Sequence, residues 1–343
     1  MENSENRTTI YDISRKAGVS IATVSRVLNN SGKVSDVTKE KVRKIMQETD
    51  YEPNAYARGL GTGKTRTIGI LCADVADIYL ANAVSYLEKE LRGNGFESIL
   101  NCTGYDLKSK KDCLRQLLAR QVDAIILVGS QYIELRDKDN EYIRAAAAQI
   151  PVMLLNGHLE GPNIYSNLCD DYGAFYAGTE LLVCNKRNRI LFLYGDTTYS
   201  RNQKYRGYAA ALRDHDIPEK KELVIGCGSY RMRMVLQILT KEYQNGLRFD
   251  AVIACDDDLA MGALKFAQRT GLRIPEEMQI IGCNNSVLSV ASTPELTSID
   301  NKCENLCINT VNTLMRVLDH RNVSARTVIS SDIVIRETTR KVP

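Results

Sequence analysis

Apolar residues recur at helical spacing near the start of the chain. Ile10, Ile13 and Ala17 repeat every three or four positions, which predicts a short amphipathic helix. Gly18 can adopt the left-handed conformation that ends such a helix, and Ser20 can cap the helix that follows. Two helices joined by a three-residue turn are therefore predicted.

The second predicted helix has one apolar side, formed by Val24, Val27 and Leu28. Its other side lacks acidic residues and carries hydroxyl, amide and guanidinium groups, which suit phosphates and base edges. The outward positions are Ile21, Ala22, Thr23, Ser25, Arg26 and Asn29. A third helix is predicted after Ser35. The pattern favours a DNA-binding helix-turn-helix, with an ordinary small helical bundle as the alternative.

Beyond Arg66 the pattern changes to short apolar runs that alternate with amphipathic helices. This alternation predicts parallel sheets covered on both faces, in two doubly wound units that bind ligands beyond the carboxyl ends of their strands. A last strand-like run, SSDIVIRE, precedes the C-terminus. The other predicted strands are 67–73, 97–102, 124–129, 152–156, 190–195, 222–226, 251–255 and 279–283.

Several sequence segments resemble the LacI/GalR family of bacterial transcriptional regulators. They are TIYDISRKAGVSIATVSRVLNNSGKVS, YEPNAYARGL, KTRTIGIL, FDAVIACDDDLAMGAL, LRIPEEMQIIGCNN and TPELTSID. The resemblance covers nearly all 343 residues. It implies an all-α helix-turn-helix DNA-binding head plus an α/β periplasmic-binding-protein-like core of two doubly wound lobes, between which the chain crosses three times.

The resemblance also implies the domain boundaries. We expect the head at residues 1–53, a hinge helix and linker at 54–66, and an effector-binding and dimerisation core at 67–343. Within the core, we expect one lobe at about 67–160 plus 295–325. The second lobe is then expected at about 161–294 plus 326–343.

The resemblance assigns DNA contacts to the head. Ile21, Ala22 and Arg26 match the base-reading positions, where Arg26 suits guanine and the two apolar side chains suit a thymine methyl group. The positions that match or neighbour phosphate contacts are Thr9, Tyr11, Ser20, Thr23, Ser25, Asn29 and Ser35. A symmetric dimer on a short palindromic operator is expected.

Residues Asn54 to Leu60 match the family's hinge helix, which is too short to be stable alone. The resemblance implies that two such helices enter the minor groove, with contacts from Asn54 and Ala57. Leu60 is expected to wedge between base pairs and kink the duplex. An ordinary helix end with a buried leucine is the alternative.

The predicted effector site departs from the family pattern. Positions that commonly hold an arginine and an aspartate carry Lys204 and Asn284, and Asn156 stands at a position that is often acidic. Asp256 is retained, and Tyr79 could line the mouth of the cleft. Since a lysine is a point charge and an amide is neutral, the ligand's identity stays open.

Two accounts of regulation remain open. In the first, which we favour, a small effector such as a sugar or sugar phosphate binds between the lobes and changes the spacing of the DNA heads. In the second, a protein partner or no ligand sets the activity. The alternative from a different class of protein is a solute-binding protein, which does not account for the DNA-reading head. An enzyme is not expected, because no catalytic constellation is recognisable.

Charge and cysteine usage agree with this interpretation. Residues 1–66 hold 12 Lys/Arg against 8 Asp/Glu, whereas residues 67–343 hold 33 against 34, so the positive excess lies in the head. Ten cysteines lack zinc-ligand spacing, and only three histidines accompany them. We therefore expect mostly buried free thiols, no metal and no cofactor.

One motif is misleading. Residues 58–65, RGLGTGKT, come close to a phosphate-binding loop, but the first glycine is replaced by Arg58 and the segment precedes a strand. A flexible joint between head and core is the better prediction. No long apolar run or signal-peptide core is present, so we expect a cytoplasmic protein without membrane contact, associated with the nucleoid when bound to DNA.

Overall fold

The computed structural model describes residues 8–28, 32–51, 65–228 and 232–341. Three helices form the head, and they are α1 (Ile10–Ala17), α2 (Ile21–Leu28) and α3 (Asp36–Glu48). Their shared core is small and consists of Ile13, Ala17, Val24, Val27 and Val42. The three helices begin and end close to the predicted positions.

The rest of the described chain forms two α/β lobes. The first sheet has the strand order β11-β5-β4-β3-β1-β2 and the second has the order β12-β10-β9-β8-β6-β7. All pairs are parallel except β10 with β12. The strands are β1 (Thr67–Cys72), β2 (Glu97–Cys102), β3 (Ala124–Val128), β4 (Val152–Leu155), β5 (Ile164–Cys169), β6 (Ile190–Tyr194), β7 (Val224–Gly226), β8 (Ala251–Ala254), β9 (Gln279–Cys283), β10 (Thr297–Asp300), β11 (Arg326–Ile329) and β12 (Asp332–Val334).

Helices cover both faces of each sheet, as parallel strands require. In the first lobe, α4 and α12 cover one face and α5 and α6 cover the other. The helices are α4 (Ile78–Gly93), α5 (Leu107–Ala119), α6 (Glu141–Ala147), α7 (Asp171–Cys184), α8 (Tyr199–Asp214), α9 (Met232–Gln244), α10 (Asp257–Thr270), α11 (Val287–Ala291) and α12 (Cys303–Leu318).

The chain crosses between the lobes three times, as predicted. The crossings follow β5, β10 and β11. The predicted lobe boundaries were misplaced, because β5 and β11 belong to the first sheet and β10 belongs to the second. All three of these strands were missing from the prediction. Their short segments contain polar residues such as Ser166 and Thr297, which are buried here although their pattern resembles a loop.

Gly207 sets the separation between α7 and α8 in the second lobe. A methyl group at this position would collide with the backbone carbonyl oxygen of Tyr172 and would approach the amide nitrogen of Tyr176. The absence of a side chain therefore lets α8 lie directly against α7. This close packing fixes the N-terminal turns of α8, which reach the edge of the sheet where a ligand is expected.

We predict that Gly207→Ala lowers the thermal unfolding midpoint, because backbone atoms cannot move aside as a flexible side chain can. Overpacking of this kind costs about 1–3 kcal/mol. Gly93→Ala, at the exposed end of α4 with no atom nearby to collide with, is the matched control and should melt at the same or a higher temperature. Equal melting of the two variants would contradict the packing role of Gly207.

Candidate functional site

The turn between α1 and α2 has the geometry of a helix-turn-helix. Gly18 has φ 65° and ψ 32°, which is the left-handed conformation, and Val19 N–H donates to the Ser14 carbonyl oxygen at 3.2 Å. The Thr23 amide donates to Ser20 Oγ at 3.2 Å, so Ser20 caps α2. These contacts orient α2 with Val24 and Val27 buried.

The three predicted base-reading residues lie on the exposed side of α2. Ile21 keeps 39% of its surface exposed, although an apolar side chain of this size is usually buried. Ala22 and Arg26 are also exposed, while Thr23 and Ser25 are partly buried beside them. The head therefore presents two apolar groups and one guanidinium on the same helix.

The hydroxyl groups predicted to contact phosphates lie at the beginnings of helices. Thr9 precedes α1, Ser20 precedes α2, and Ser35 caps α3 by accepting the Thr38 N–H at 3.3 Å. Tyr11 is 64% exposed in the first turn of α1. Because a helix N-terminus carries partial positive charge and free N–H groups, these positions favour anions such as phosphate.

Four predicted DNA contacts lie outside the described residues. They are Asn29, which follows α2, and the hinge residues Asn54, Ala57 and Leu60. Their proposed roles continue to rest on the sequence.

The five predicted effector residues surround one cleft between the lobes. The first lobe contributes Tyr79 and Asn156, and the second contributes Lys204, Asp256 and Asn284. Both sheets direct the carboxyl ends of their central strands towards this cleft, as expected for doubly wound lobes.

Lys204 is buried, with only 7% of its surface exposed, and its ammonium group contacts other groups of the protein. Its Nζ donates to the Cys255 carbonyl oxygen at 2.9 Å and to Cys283 Sγ at 3.4 Å. The Asp171 carboxylate lies 4.0 Å away. Burial raises the pKa of Cys283 to about 12, so this thiol stays protonated at neutral pH. Lys204 therefore supports the floor of the cleft.

Asp256 and Asn284 form part of a chain of hydrogen bonds. Asp256 caps α10 by accepting the Asp258 N–H at 2.8 Å, and its other oxygen accepts Asn284 Nδ2–H at 2.6 Å. Asn284 Oδ1 in turn accepts Asn301 Nδ2–H at 2.7 Å. Since Asn301 lies in the crossing after β10, this chain joins the cleft to a connection between the lobes.

The other two predicted residues differ, because Asn156 makes a side-chain hydrogen bond within the described chain and Tyr79 does not. Asn156 Oδ1 accepts the Cys169 N–H at 3.1 Å, which leaves its amide nitrogen for the cleft. Tyr79 lines the cleft, but its hydroxyl is buried and has no hydrogen-bond partner among the described residues. Burial raises the pKa of Tyr79 well above its usual value, so the phenol remains neutral.

Sequence reasoning missed several residues that line the same cleft. Many follow the ends of strands, and this position could have revealed them, because ligands bind beyond those ends. Arg201 could have been found by its position one helical turn before Lys204. The missed residues are Asp77, Tyr105, Ser130, Gln131, Asp196, Thr198, Ser200 and Arg201.

The ten cysteines are unpaired, and six of them are buried. Within the described ranges, no cluster of histidine, cysteine or acidic side chains has an arrangement that could hold a metal ion. No helix in these ranges has both the length and the apolar character needed to span a membrane.

Two family models match the chain. Residues 9–54 match "Bacterial regulatory proteins, lacI family", and residues 179–339 match "Periplasmic binding protein-like domain". An HTH-type transcriptional regulator of Lachnoclostridium phytofermentans is 48% identical over 330 residues, covering 96% of this chain and 99% of the relative.

Two further similarities extend over most of the chain. Catabolite control protein A of Priestia megaterium is 29% identical over 85% of this chain and 86% of its own length. Among solved structures, the lac repressor dimer bound to operator and the anti-inducer ONPF has a TM-score of 0.86 at 24% identity. That similarity covers 97% of this chain and 99% of the repressor chain. The two-lobed core and the helical head thus have the same fold as that repressor.

The buried Asp256 carboxyl should make stability depend on pH. Desolvation, with the charge of Asp77 next, raises its pKa from 3.8 to about 8. Because the folded state binds this proton more tightly, the stabilisation is fully present below pH 3.8 and is lost as the pH rises through about 8.

We therefore predict that Asp256→Asn, which stays neutral, gains stability relative to the wild type as the pH rises between these values. Thermal unfolding of both proteins across this pH range measures the difference. Asp112→Asn, on the surface of α5, is the control and should follow the wild-type profile. Parallel profiles for wild type and Asp256→Asn would contradict the buried, proton-binding state of Asp256.

Proposed function

The chain belongs to the lacI family of bacterial regulatory proteins and is a DNA-binding transcriptional regulator, and from this premise we propose that it is a repressor whose homodimer binds a palindromic operator and is controlled by a small ligand between its lobes. The main support for this proposal is the outward face of α2. On that face Ile21, Ala22 and Arg26 are free to enter a major groove.

The proposed DNA contacts divide into two kinds. Arg26 can donate two parallel hydrogen bonds to a guanine edge, and Ile21 and Ala22 can contact a thymine methyl group. The hydroxyls at the helix N-termini, from Thr9, Ser20 and Ser35, bind phosphates and set the register. Tyr11, Thr23, Ser25 and Asn29 are proposed to add to these phosphate contacts.

We propose a dimer because one head is too small to cover a whole operator. One recognition helix covers only half of a palindromic site, and two symmetric heads cover both halves. The structurally similar lac repressor was solved as a dimer on its operator, which supports the same arrangement here. The hinge residues Asn54, Ala57 and Leu60 are proposed to enter the minor groove of that operator.

Ligand control is proposed to act through the two lobes. A ligand that contacts both Asn156 of the first lobe and Asp256 of the second binds the closed arrangement better than the open one. Closure then changes the spacing of the paired heads, which couples the cleft to the operator. A sugar or sugar phosphate is the proposed class of ligand. The site of action is the cytoplasm, where bacterial DNA is found, and the chain is not proposed to be an enzyme.

A second candidate is a regulator of the same family that is controlled by a protein partner or without a ligand. The commitment of Lys204 and Asn284 to hydrogen bonds within the protein favours it, since fewer groups remain for a small molecule. A thermal-shift screen with sugars, sugar phosphates and nucleobases separates the candidates. A specific shift supports ligand control, and the lack of any shift across the panel favours the second candidate.

The DNA-binding proposal predicts a specific gel shift with a palindromic operator, selected from random DNA, that weakens steeply as salt rises. Arg26→Ala should weaken binding by about 1–3 kcal/mol and relax one base position in each half-site. Arg115→Ala, exposed on α5 of the core, is the control and should bind as the wild type does. A uniform loss on every DNA sequence would make Arg26 a phosphate contact, and failure to select any site would refute operator binding.

A further inference from the structure

Arg201 is a second basic residue in the cleft, one helical turn before Lys204 on α8. Its guanidinium carbon lies 3.9 Å from the centre of the Tyr194 ring and 5.0 Å from that of Tyr205. Stacking on these rings holds the guanidinium plane in one orientation, since cations are attracted to aromatic faces. Arg201 is thus positioned before any ligand arrives.

The guanidinium of Arg201 has no acidic partner in the part of the chain that the structure describes. Among the described residues, no carboxylate oxygen lies within the 4.0 Å of a salt bridge to it, and its Nη1 reaches only Asn202 Oδ1, at 3.2 Å. Its Nε is buried without any hydrogen-bond partner in the described chain. A buried donor left unpaired is costly, so this arrangement calls for an acceptor from outside the protein.

The surroundings of Arg201 favour a negatively charged group. Thr198 caps the 16-residue helix α8 by accepting the Arg201 N–H at 3.2 Å, so Arg201 lies at the positive end of that helix. Ser130 and Gln131 of the first lobe line the same cleft and supply further polar groups. Lys204, by contrast, already has Asp171 and the Cys255 carbonyl as partners.

Other parts of the cleft wall have the opposite character. Asp77 of the first lobe and Asp256 of the second both cap helices there, and each also lines the open space. Their carboxyl oxygens accept hydrogen bonds and so suit hydroxyl groups, whereas the guanidinium of Arg201 suits an anion. The ligand best matched to both features carries several hydroxyls and one anionic group.

We propose that Arg201 binds the anionic group, a carboxylate or a phosphate, of a polyhydroxyl ligand such as an acidic sugar. Asp77 and Asp256 accept hydrogen bonds from the hydroxyl groups of that ligand. This inference rests on the proposed control of the regulator by a cleft ligand. It assigns to Arg201 the role that the sequence comparison suggested for Lys204.

The test is titration calorimetry of the full chain with three kinds of probe. Glucuronate and galacturonate carry a carboxylate, glucose 6-phosphate and galactose 6-phosphate carry a phosphate, and glucose and galactose are neutral. We expect at least one charged probe to bind more tightly than its neutral parent. Comparing the carboxylate and phosphate arms identifies which anion the site takes.

Variants of Arg201 separate ligand binding from packing. Arg201→Gln should weaken binding of the charged probe on the order of 10- to 100-fold, as expected for lost hydrogen bonds to an ion. It should leave any binding of the neutral parent unchanged. Arg201→Lys should fall between, because lysine keeps the charge but lacks the planar fork. Arg206→Gln is the matched control, since Arg206 is exposed on the same helix and its side chain hydrogen-bonds to Gln203.

The inference is overturned if no charged probe binds, if neutral sugars bind best, or if Arg201→Gln matches Arg206→Gln. Gel shifts on the selected operator keep this failure distinct from failure of the proposed function. Release of the operator by a neutral sugar would preserve ligand control while refuting the role of Arg201. Binding of an acidic sugar that depends on Arg201 would stand even if no operator were found.

Discussion

The buried ammonium group of Lys204 imposes the strictest requirement on the second lobe. A charge removed from water must be paired and hydrogen-bonded, and here Asp171, the Cys255 carbonyl and Cys283 meet that need. These partners come from α7 and from the ends of β8 and β9, so a single side chain ties three elements to α8. The floor of the cleft depends on this arrangement, and it leaves Lys204 with little capacity for a ligand.

The connection between the lobes depends on a second set of polar contacts. Asp256, Asn284 and Asn301 are linked in series by side-chain hydrogen bonds, and Asn301 lies in one of the three crossings. A ligand that competes for Asp256 would alter the same bonds that reach the crossing. Cleft and crossing thus share hydrogen-bonding groups, through which the proposed ligand control would act on the relative position of the lobes.

The head is stabilised differently from the lobes, because it is too small to have a large hydrophobic core. Five buried side chains hold its three helices together, and hydroxyl-bearing residues precede each helix. Those hydroxyls satisfy or adjoin the free N–H groups of the first turns, where an anion is also favoured. The features that stabilise the short helices therefore also suit them to a phosphate backbone.

The spacing of apolar residues along the sequence determined the three head helices, the turn at Gly18 and most strands of the core. Each of these elements depends on only a few consecutive residues, so the sequence alone is sufficient to predict it. The similarity of several segments also identified the family and predicted five effector residues. The structure places all five around one cleft, and they are Tyr79, Asn156, Lys204, Asp256 and Asn284. Only the tertiary structure decided where the lobes divide, and that among the described residues Lys204 has an acidic partner whereas Arg201 has none. Pairing depends on groups distant in sequence, such as Cys283 beside Lys204 and Tyr194 beneath Arg201, and no local pattern records those distances.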